Sequence, residues 1–338
     1  MTQSFKAWRL LPLLVMLALV LTGCGDPYLS ALNPSGPVAE EQLSLIYISL
    51  AVMIFVIVAV IVIYTYVLIR FRARPGQTEI PKQVEGSHTL EIIWTVIPIL
   101  LLIIIAVPTV MTTFSLADET GIEEGLRVNV VAHQYWWEFE YPEEGIYTAQ
   151  ELVIPKDTWV FFELTAPDNG VIHSFWVPAL GGKMDTNPGL VNRMKLKADK
   201  VGTFHGKCAE LCGASHALMD FKVTVVEQEE YDVWAQKMMA SQHVEPTTAV
   251  AQQGREIYAN QCIGCHAIDA NTKSPYPNLA GFADRQYVAG WWINDEKNLT
   301  EWIKNPQGLK PGNVMPDLGL SDEEVAAVVE YMKTLKLE

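Results

Sequence analysis

Cys208-Ala-Glu-Leu-Cys212-Gly-Ala-Ser-His216-Ala-Leu-Met219 puts two thiols, an imidazole and a thioether on one short stretch. Soft sulfur ligands beside an imidazole suit copper better than the other common metals. Two thiolates at this spacing can both bridge a pair of copper ions, each of which then needs an imidazole and a weaker ligand. His216 supplies one imidazole. His173, in Val171-Ile-His173-Ser-Phe-Trp-Val177 at the head of an apolar strand, is the strongest candidate for the other, and Met219 offers a weak thioether. Three other readings stand beside this one. Cys208 and Cys212 pair as a disulfide in an oxidising compartment; Cys2His2 binds structural zinc, although zinc seldom recruits Met; or His173 and Met219 are core packing.

Further on comes Cys262-Ile-Gly-Cys265-His266. Two cysteines three apart with histidine next attach a c-type haem through thioether bonds, and His266 binds its iron from one side. The alternative is a different metal or redox motif. No histidine follows His266, so the sixth ligand falls to Met315 or Met332. Met332 continues an apolar helical stripe, Val325, Val328, Val329 and Leu335, behind the capping box Ser321-Asp-Glu-Glu324, and belongs in a core. Met315 sits in the loop Gly312-Asn-Val-Met315-Pro316 and is the better ligand. A Met/His pair raises the haem potential.

The chain has 338 residues, room for two or three domains, and a formal net charge of −15. That charge excludes a nucleic-acid partner, which needs a basic face, and favours basic protein partners. All five cysteines have roles. The fifth, Cys24, closes Leu21-Thr22-Gly23-Cys24 after a leader with Lys6, Arg9 and an apolar run from Leu10 to Leu21. This is a signal peptide whose end resembles the lipobox of bacterial lipoproteins, in which the cysteine is lipid-modified. An uncleaved anchor helix is the other reading.

Leu45–Ile69 and Ile92–Ala117 are each uncharged and longer than the ~20 residues a helix needs to cross a bilayer. Between them lie Arg70, Arg72, Arg74 and Lys82; acidic residues flank the other ends. The positive-inside rule places the linker in the cytoplasm and everything after Ala117 outside the cell membrane. Pro98 and Pro108 lie inside the second span.

From Arg127 to Val226 short strands alternate with turn-rich pieces. Candidates are Arg127–His133, Trp137–Tyr141, Glu151–Ile154, Trp159–Thr165, Gly202–Gly206 and Asp220–Val226, a pattern for a Greek-key sandwich or barrel. Glu229–Ala240 reads as a short helix, Ser241–Thr248 as a linker, and Ala249–Glu338 as helical. The expected organisation is a multidomain membrane protein: signal peptide 1–23; N-terminal segment and transmembrane hairpin 24–117, with spans about 45–69 and 92–114; all-β domain 118–228; helix and linker 229–248; all-α haem domain 249–338.

His173-Ser-Phe-Trp-Val-Pro178, Met184-Asp185 and the Cys208–Met219 stretch together resemble subunit II of the haem–copper cytochrome c oxidases, over about residues 40–235. The resemblance implies a cupredoxin barrel holding a dinuclear copper centre, CuA. Its ligands would be His173, Cys208, Cys212, His216, Met219 and the backbone carbonyl of Glu210. The Glu210 side chain would also reach a magnesium shared with subunit I. His133-Gln-Tyr135-Trp136-Trp137-Glu-Phe139-Glu-Tyr141 resembles the family's aromatic stretch, in which a tryptophan accepts electrons from cytochrome c. Tyr135 stands at that position, followed by Trp136 and Trp137; the other reading is rings packing in a strand. Glu91-Ile-Ile-Trp94-Thr-Val-Ile-Pro98 resembles the start of the family's second span, where a glutamate marks the mouth of a proton channel; otherwise Glu91 is a helix-start charge. Gly254-Arg-Glu-Ile-Tyr258 and Glu330-Tyr331-Met332 resemble the crossing helices of class I c-type cytochromes.

The function these resemblances imply is electron delivery. Haem c accepts electrons from cytochrome c or a quinol–cytochrome c reductase. Copper passes them to subunit I, which reduces oxygen to water and translocates protons in a complex that includes subunit III. The site is a bacterial inner membrane, with both redox domains on its outer face and a lipid anchor at Cys24. A lipid-anchored copper carrier or sensor, a copper-free quinol-oxidase subunit, and a component of a nitrogen-oxide reductase are the competing functions. Intact Cys208 and Cys212 count against the quinol-oxidase reading.

Overall fold

The computed structural model describes residues 29–73, 75–76, 80, 83, 85–120, 124–240 and 245–337, with 12, 14–16 and 18. Cys24, Lys6, Arg9, Arg74, Lys82 and Ser241 lie outside the described residues.

Helix α1, Pro37–Arg70, begins with proline in its first turn, and α2, His88–Ala117, begins under a Ser87 cap that accepts from the Leu90 amide. Both are long and apolar enough to cross a membrane, with none of the apolar window buried inside the protein. Pro98 and Pro108 fall inside α2, as expected. At 1.5 Å per residue α1 runs about 51 Å, longer than the ~30 Å hydrocarbon layer. Its first turn therefore reaches the β-domain: Val38 is buried in that domain's core. The Ser35 amide donates to Ala179 O at 2.7 Å, and the Asp199 amide donates to Ser35 O at 3.1 Å.

Ten strands follow: β1 Leu126–His133, β2 Trp136–Tyr141, β3 Ile146–Ala149, β4 Glu151–Pro155, β5 Val160–Thr165, β6 His173–Trp176, β7 Lys183–Thr186, β8 Asn192–Leu196, β9 Gly202–Cys208 and β10 Asp220–Val226. They form two five-stranded sheets, ordered β3-β2-β1-β5-β8 and β4-β10-β9-β6-β7. The pairs β1–β5 and β4–β10 are parallel. The chain changes sheet at Gln150, whose φ of 69° turns β3 into β4. Alternating burial along β1 sends Val128 and Val130 inward. Between the sheets Trp137, Phe162, Phe175 and Phe221 pack together, with Phe175 and Phe221 stacked at 4.7 Å. Strands β3, β7 and β8 were not among the sequence candidates. All three are short: β7 and β8 are mostly exposed or half-exposed, and β3 buries Ile146, Thr148 and Ala149, so none shows a clean period-two alternation.

Helix α3, Gln228–Ala240, packs Tyr231 and Met238 onto the β-domain. The C-terminal region is helical apart from one small hairpin, β11 Tyr287–Val288 with β12 Trp292–Ile293. Its helices are α4 Ala249–Gln261, α5 Glu296–Lys304, α6 Pro306–Leu309 and α7 Asp322–Met332. Helices α4 and α7 cross at Gly254, where a Cβ would stand 1.9 Å from Ala327 O. Only glycine permits that approach. Ser321 and Glu324 form the expected capping box, and Met332 lies in the core beneath it.

The helical domain is docked on the β-domain. The Tyr147 amide donates to Ala270 O at 2.7 Å. The Gln286 and Tyr287 amides donate to Glu151 Oε1 at 2.7 and 3.3 Å. The Lys222 ammonium lies 4.3 Å above the Tyr287 ring.

Candidate metal and haem sites

The sheet topology assembles the sulfur site. His173 opens β6, and Cys208 closes β9 beside it, in register with Phe175. The Ala209 amide donates to Ser174 O at 2.9 Å and the Cys208 amide to Met219 O at 3.0 Å, so the loop leaves and rejoins the sheet at one point. A short 3-10 turn, His216–Leu218, folds His216 back over the loop.

The side chains converge. Cys208 Sγ lies 3.9 Å from Cys212 Sγ and 3.8 Å from His173 Nδ1. Cys212 Sγ lies 3.6 Å from His216 Nδ1 and 3.8 Å from Met219 Sδ. Glu210 O is 3.2 Å from Cys208 Sγ. Ligand atoms of His173, Cys208 and Cys212 all fall within 4.8 Å of one another, close enough to hold a metal. Cys208 and Cys212 are free thiols, and their separation is far beyond the ~2.05 Å of a disulfide. The hydrogen bond from Cys212 pulls the Cys208 thiol well below its ordinary value, helped by His173 and the Ser174 amide against burial. Cys212 is pushed up by that same bond, by burial and by the neighbouring Cys208 charge. The shared hydrogen bond thus favours the thiolate at Cys208 and the thiol at Cys212. Two sulfurs, two imidazoles, a thioether and a carbonyl form a donor set that fits soft copper.

Behind this loop, Trp137 is fully buried and sets its ring 6.2 Å from His173. Glu91 is in the first turn of α2, 3.7 Å from His88.

A second cavity, about 1220 Å³ with its open mouth, lies in the helical domain. Cys262, Cys265, His266 and Met315 all line it. His266 Nδ1 is 2.8 Å from Pro277 O. A carbonyl only accepts, so Nδ1 carries the proton and Nε2 is left for iron. Burial, more than the nearby Arg285 charge, holds the His266 imidazole below its ordinary value, which favours the neutral, ligating form. Asn313 Oδ1 accepts from the Met315 amide at 2.8 Å, and Gln307 Nε2 donates to Met315 O at 3.0 Å, fixing that loop. Tyr258, Phe282, Val328 and Met332 supply apolar walls. An apolar chamber with an imidazole, a thioether and two thiols fits a c-type haem.

The cavity's remaining wall comes from the β-domain: Gln134, Tyr135, Trp136 and Gln150. Gln134 Nε2 donates to Cys212 O at 2.6 Å, and the Ala214 amide donates to the Tyr135 hydroxyl at 3.0 Å. Ser215 Oγ donates to Pro311 O at 2.7 Å. One dipeptide thus faces the haem cavity and bonds the sulfur loop. Ser215 carries no local signal because its partner, Pro311 O, is on the other domain, and Gln134 and Lys310 meet the seam only through the cavity that both domains line. Gln134 alone had a hint, its place beside the aromatic run.

Family models match three stretches: cytochrome c oxidase subunit II, transmembrane domain, at 29–111; its periplasmic domain at 145–226; and cytochrome c at 251–336. Cytochrome c oxidase subunit 2 of Bacillus sp. strain PS3 is 51% identical over 358 residues, covering 100% of each chain. That of Alkalihalophilus pseudofirmus is 48% identical, covering 98% of this chain and 99% of its own. Quinol oxidase subunit 2 of Bacillus subtilis is 38% identical, covering 69% of this chain and 74% of its own.

Proposed function

We propose, for a chain that belongs to the cytochrome c oxidase subunit II family and carries a C-terminal cytochrome c domain, that two adjoining redox sites form one internal electron relay. The enzyme is cytochrome c oxidase, and this membrane protein is one of its subunits. When bound, haem c and dinuclear copper supply the one-electron chemistry between an external donor and subunit I, where oxygen is reduced to water and protons are translocated. Cys262 and Cys265 tether the haem, and His266 and Met315 hold its iron. His173, Cys208, Cys212, His216, Met219 and the Glu210 carbonyl hold the copper pair.

The contact of Gln134 and Tyr135 with both sites carries this reading. Tyr135 and Trp136 are 5% and 8% exposed. They serve an internal donor, the haem in the cavity they wall. Trp137 packs beneath His173 instead. An external donor, cytochrome c or a quinol–cytochrome c reductase, then meets the helical domain. Fusing donor and acceptor replaces diffusion by a fixed local concentration. The helical domain holds 12 acidic and 8 basic residues, which suits a basic donor.

The wider assembly follows from the same reading. Subunits I and III adjoin the hairpin, with both redox domains on the outer face of a bacterial inner membrane. Glu91 stands at the mouth of a proton channel in subunit I. The Glu210 carboxylate reaches a magnesium shared with that subunit. Cys24 carries a lipid after removal of residues 1–23. Metal and haem analysis of the purified full-length subunit tests the central claim. Two coppers and one covalent haem per chain are expected; a Cys208–Cys212 disulfide in copper-replete protein overturns it.

A further inference from the structure

Lys310 sits between the two sites. It is 2% exposed and lines the haem cavity. Its Nζ donates to Ala289 O at 2.8 Å. Among the described residues no carboxylate comes within ion-pair distance of it. An ammonium has three donors, and a buried, unpaired one is disfavoured by several kcal/mol. Burial accordingly pushes the group down to about 7, against the pull of Asp220 and Cys212 on the other domain. The other buried cation lining the cavity, Arg285, gives its Nη2 to Asn278 O at 2.7 Å and Ala280 O at 3.0 Å, and haem carries a second propionate that its other donors could meet.

The chain builds this placement deliberately. Lys310 precedes Pro311, whose carbonyl is held by Ser215 of the sulfur loop. Two residues on, a Cβ on Gly312 would stand 3.2 Å from the Tyr135 hydroxyl. The lysine is therefore pinned into the seam by the same loop that carries Met315. Haem carries two propionates, on the porphyrin edge away from its thioether-bonded substituents. Cys265 lies toward the open side, where it is exposed and nothing comes within 4 Å of a Cβ on Gly264, with Cys262 half-buried behind it. A porphyrin tethered there presents its carboxylates to the buried side, where Lys310 waits.

We propose that the Lys310 ammonium binds a haem propionate at the seam between the two domains, so that one cation lies against both redox sites. This rests on the reading of the cavity as a haem c site. The bond ties haem seating to domain docking, and its charge favours the ferrous state.

The test uses the full-length subunit in the purified oxidase. Lys310→Met is compared with Lys310→Arg by haem c redox titration and by the propionate bending band in resonance Raman spectra. The expected result for Lys310→Met is a shift of the reduction equilibrium toward ferric haem on the order of tenfold, a moved propionate band, and recovery of the equilibrium in Lys310→Arg. An unmoved propionate band overturns the proposal, whatever happens to the potential. If Lys310→Met does not assemble, Lys310→Gln takes its place with the same readings: a moved band supports the bond and an unmoved one removes it. Absence of covalent haem from the unaltered protein is a separate failure, that of the underlying haem reading.

Discussion

Ser215 Oγ donates a 2.7 Å hydrogen bond to the carbonyl of Pro311, and so joins the loop of Cys212 and His216 to the loop of Met315. Ser215 is itself buried, at 1% exposure. Replacing it with alanine leaves a carbonyl unpaired at the seam, a loss of about 1–3 kcal/mol. Ser215→Ala is expected to retain haem and copper spectra while slowing haem-to-copper electron transfer several-fold. Flash photoreduction of the haem, followed at the copper absorption, checks it.

Gln134 is the shortest link from the cavity wall to a sulfur ligand. Gln134→Leu keeps the side chain's bulk and removes its bond to Cys212 O. The expected outcome is an altered copper hyperfine pattern in electron paramagnetic resonance and a slower internal transfer step, with the haem spectrum unchanged. An unaltered copper signal together with an unaltered rate would remove Gln134 from the relay.

Met315→Ala is expected to leave the haem attached through Cys262 and Cys265 but to lower its potential, since a thioether opposite imidazole favours ferrous iron. Redox titration and the sulfur–iron charge-transfer band measure this. Survival of the band would place the sixth ligand elsewhere.

Gly254→Ala places a methyl group against Ala327 O, where only 1.9 Å is available. Helices α4 and α7 must part, a loss of about 3 kcal/mol or less if the backbone yields. Denaturant unfolding followed at the haem Soret band should show the helical domain melting early while the β-domain holds.

Burial at the seam raises the Glu151 carboxyl above its ordinary value of 4.5, outweighing Arg285 and the Gln286 and Tyr287 amides. The folded chain thus holds this proton more tightly than the unfolded chain does. The group's contribution is fully present below the unfolded value and is lost as pH rises through the raised folded one. Glu151→Gln keeps an acceptor oxygen and cannot ionise. It is expected to flatten the pH dependence of unfolding above about pH 4.5, measured by thermal melts across that range.

The candidate site residues were legible in the sequence because their spacing is local. Cys208, Cys212, His216 and Met219 occupy one loop, and Cys262, Cys265 and His266 occupy another. The two long helices were equally plain, since an uncharged run of that length has few other fates. His173 required a partner across the sheet and was found only as a candidate, by its place at the head of an apolar strand. Strands β3, β7 and β8 were invisible because each is short and none alternates cleanly: β3 is buried on both faces and β7 and β8 are largely exposed. The seam was invisible for a different reason. Ser215, Gln134, Glu151 and Lys310 are unremarkable polar residues until a second domain is laid against them.

The β-domain is fastened to the hairpin at two feet: Ser35 grips Ala179 and Asp199 before α1, and Lys195 donates to the Asp118 carbonyl just after α2. Two fastenings stop the β-domain from swivelling about either one and leave only a rock about the line that joins them. The bearing of the sulfur loop relative to the two long helices is therefore set within the chain itself, by fastenings at both of their β-domain ends.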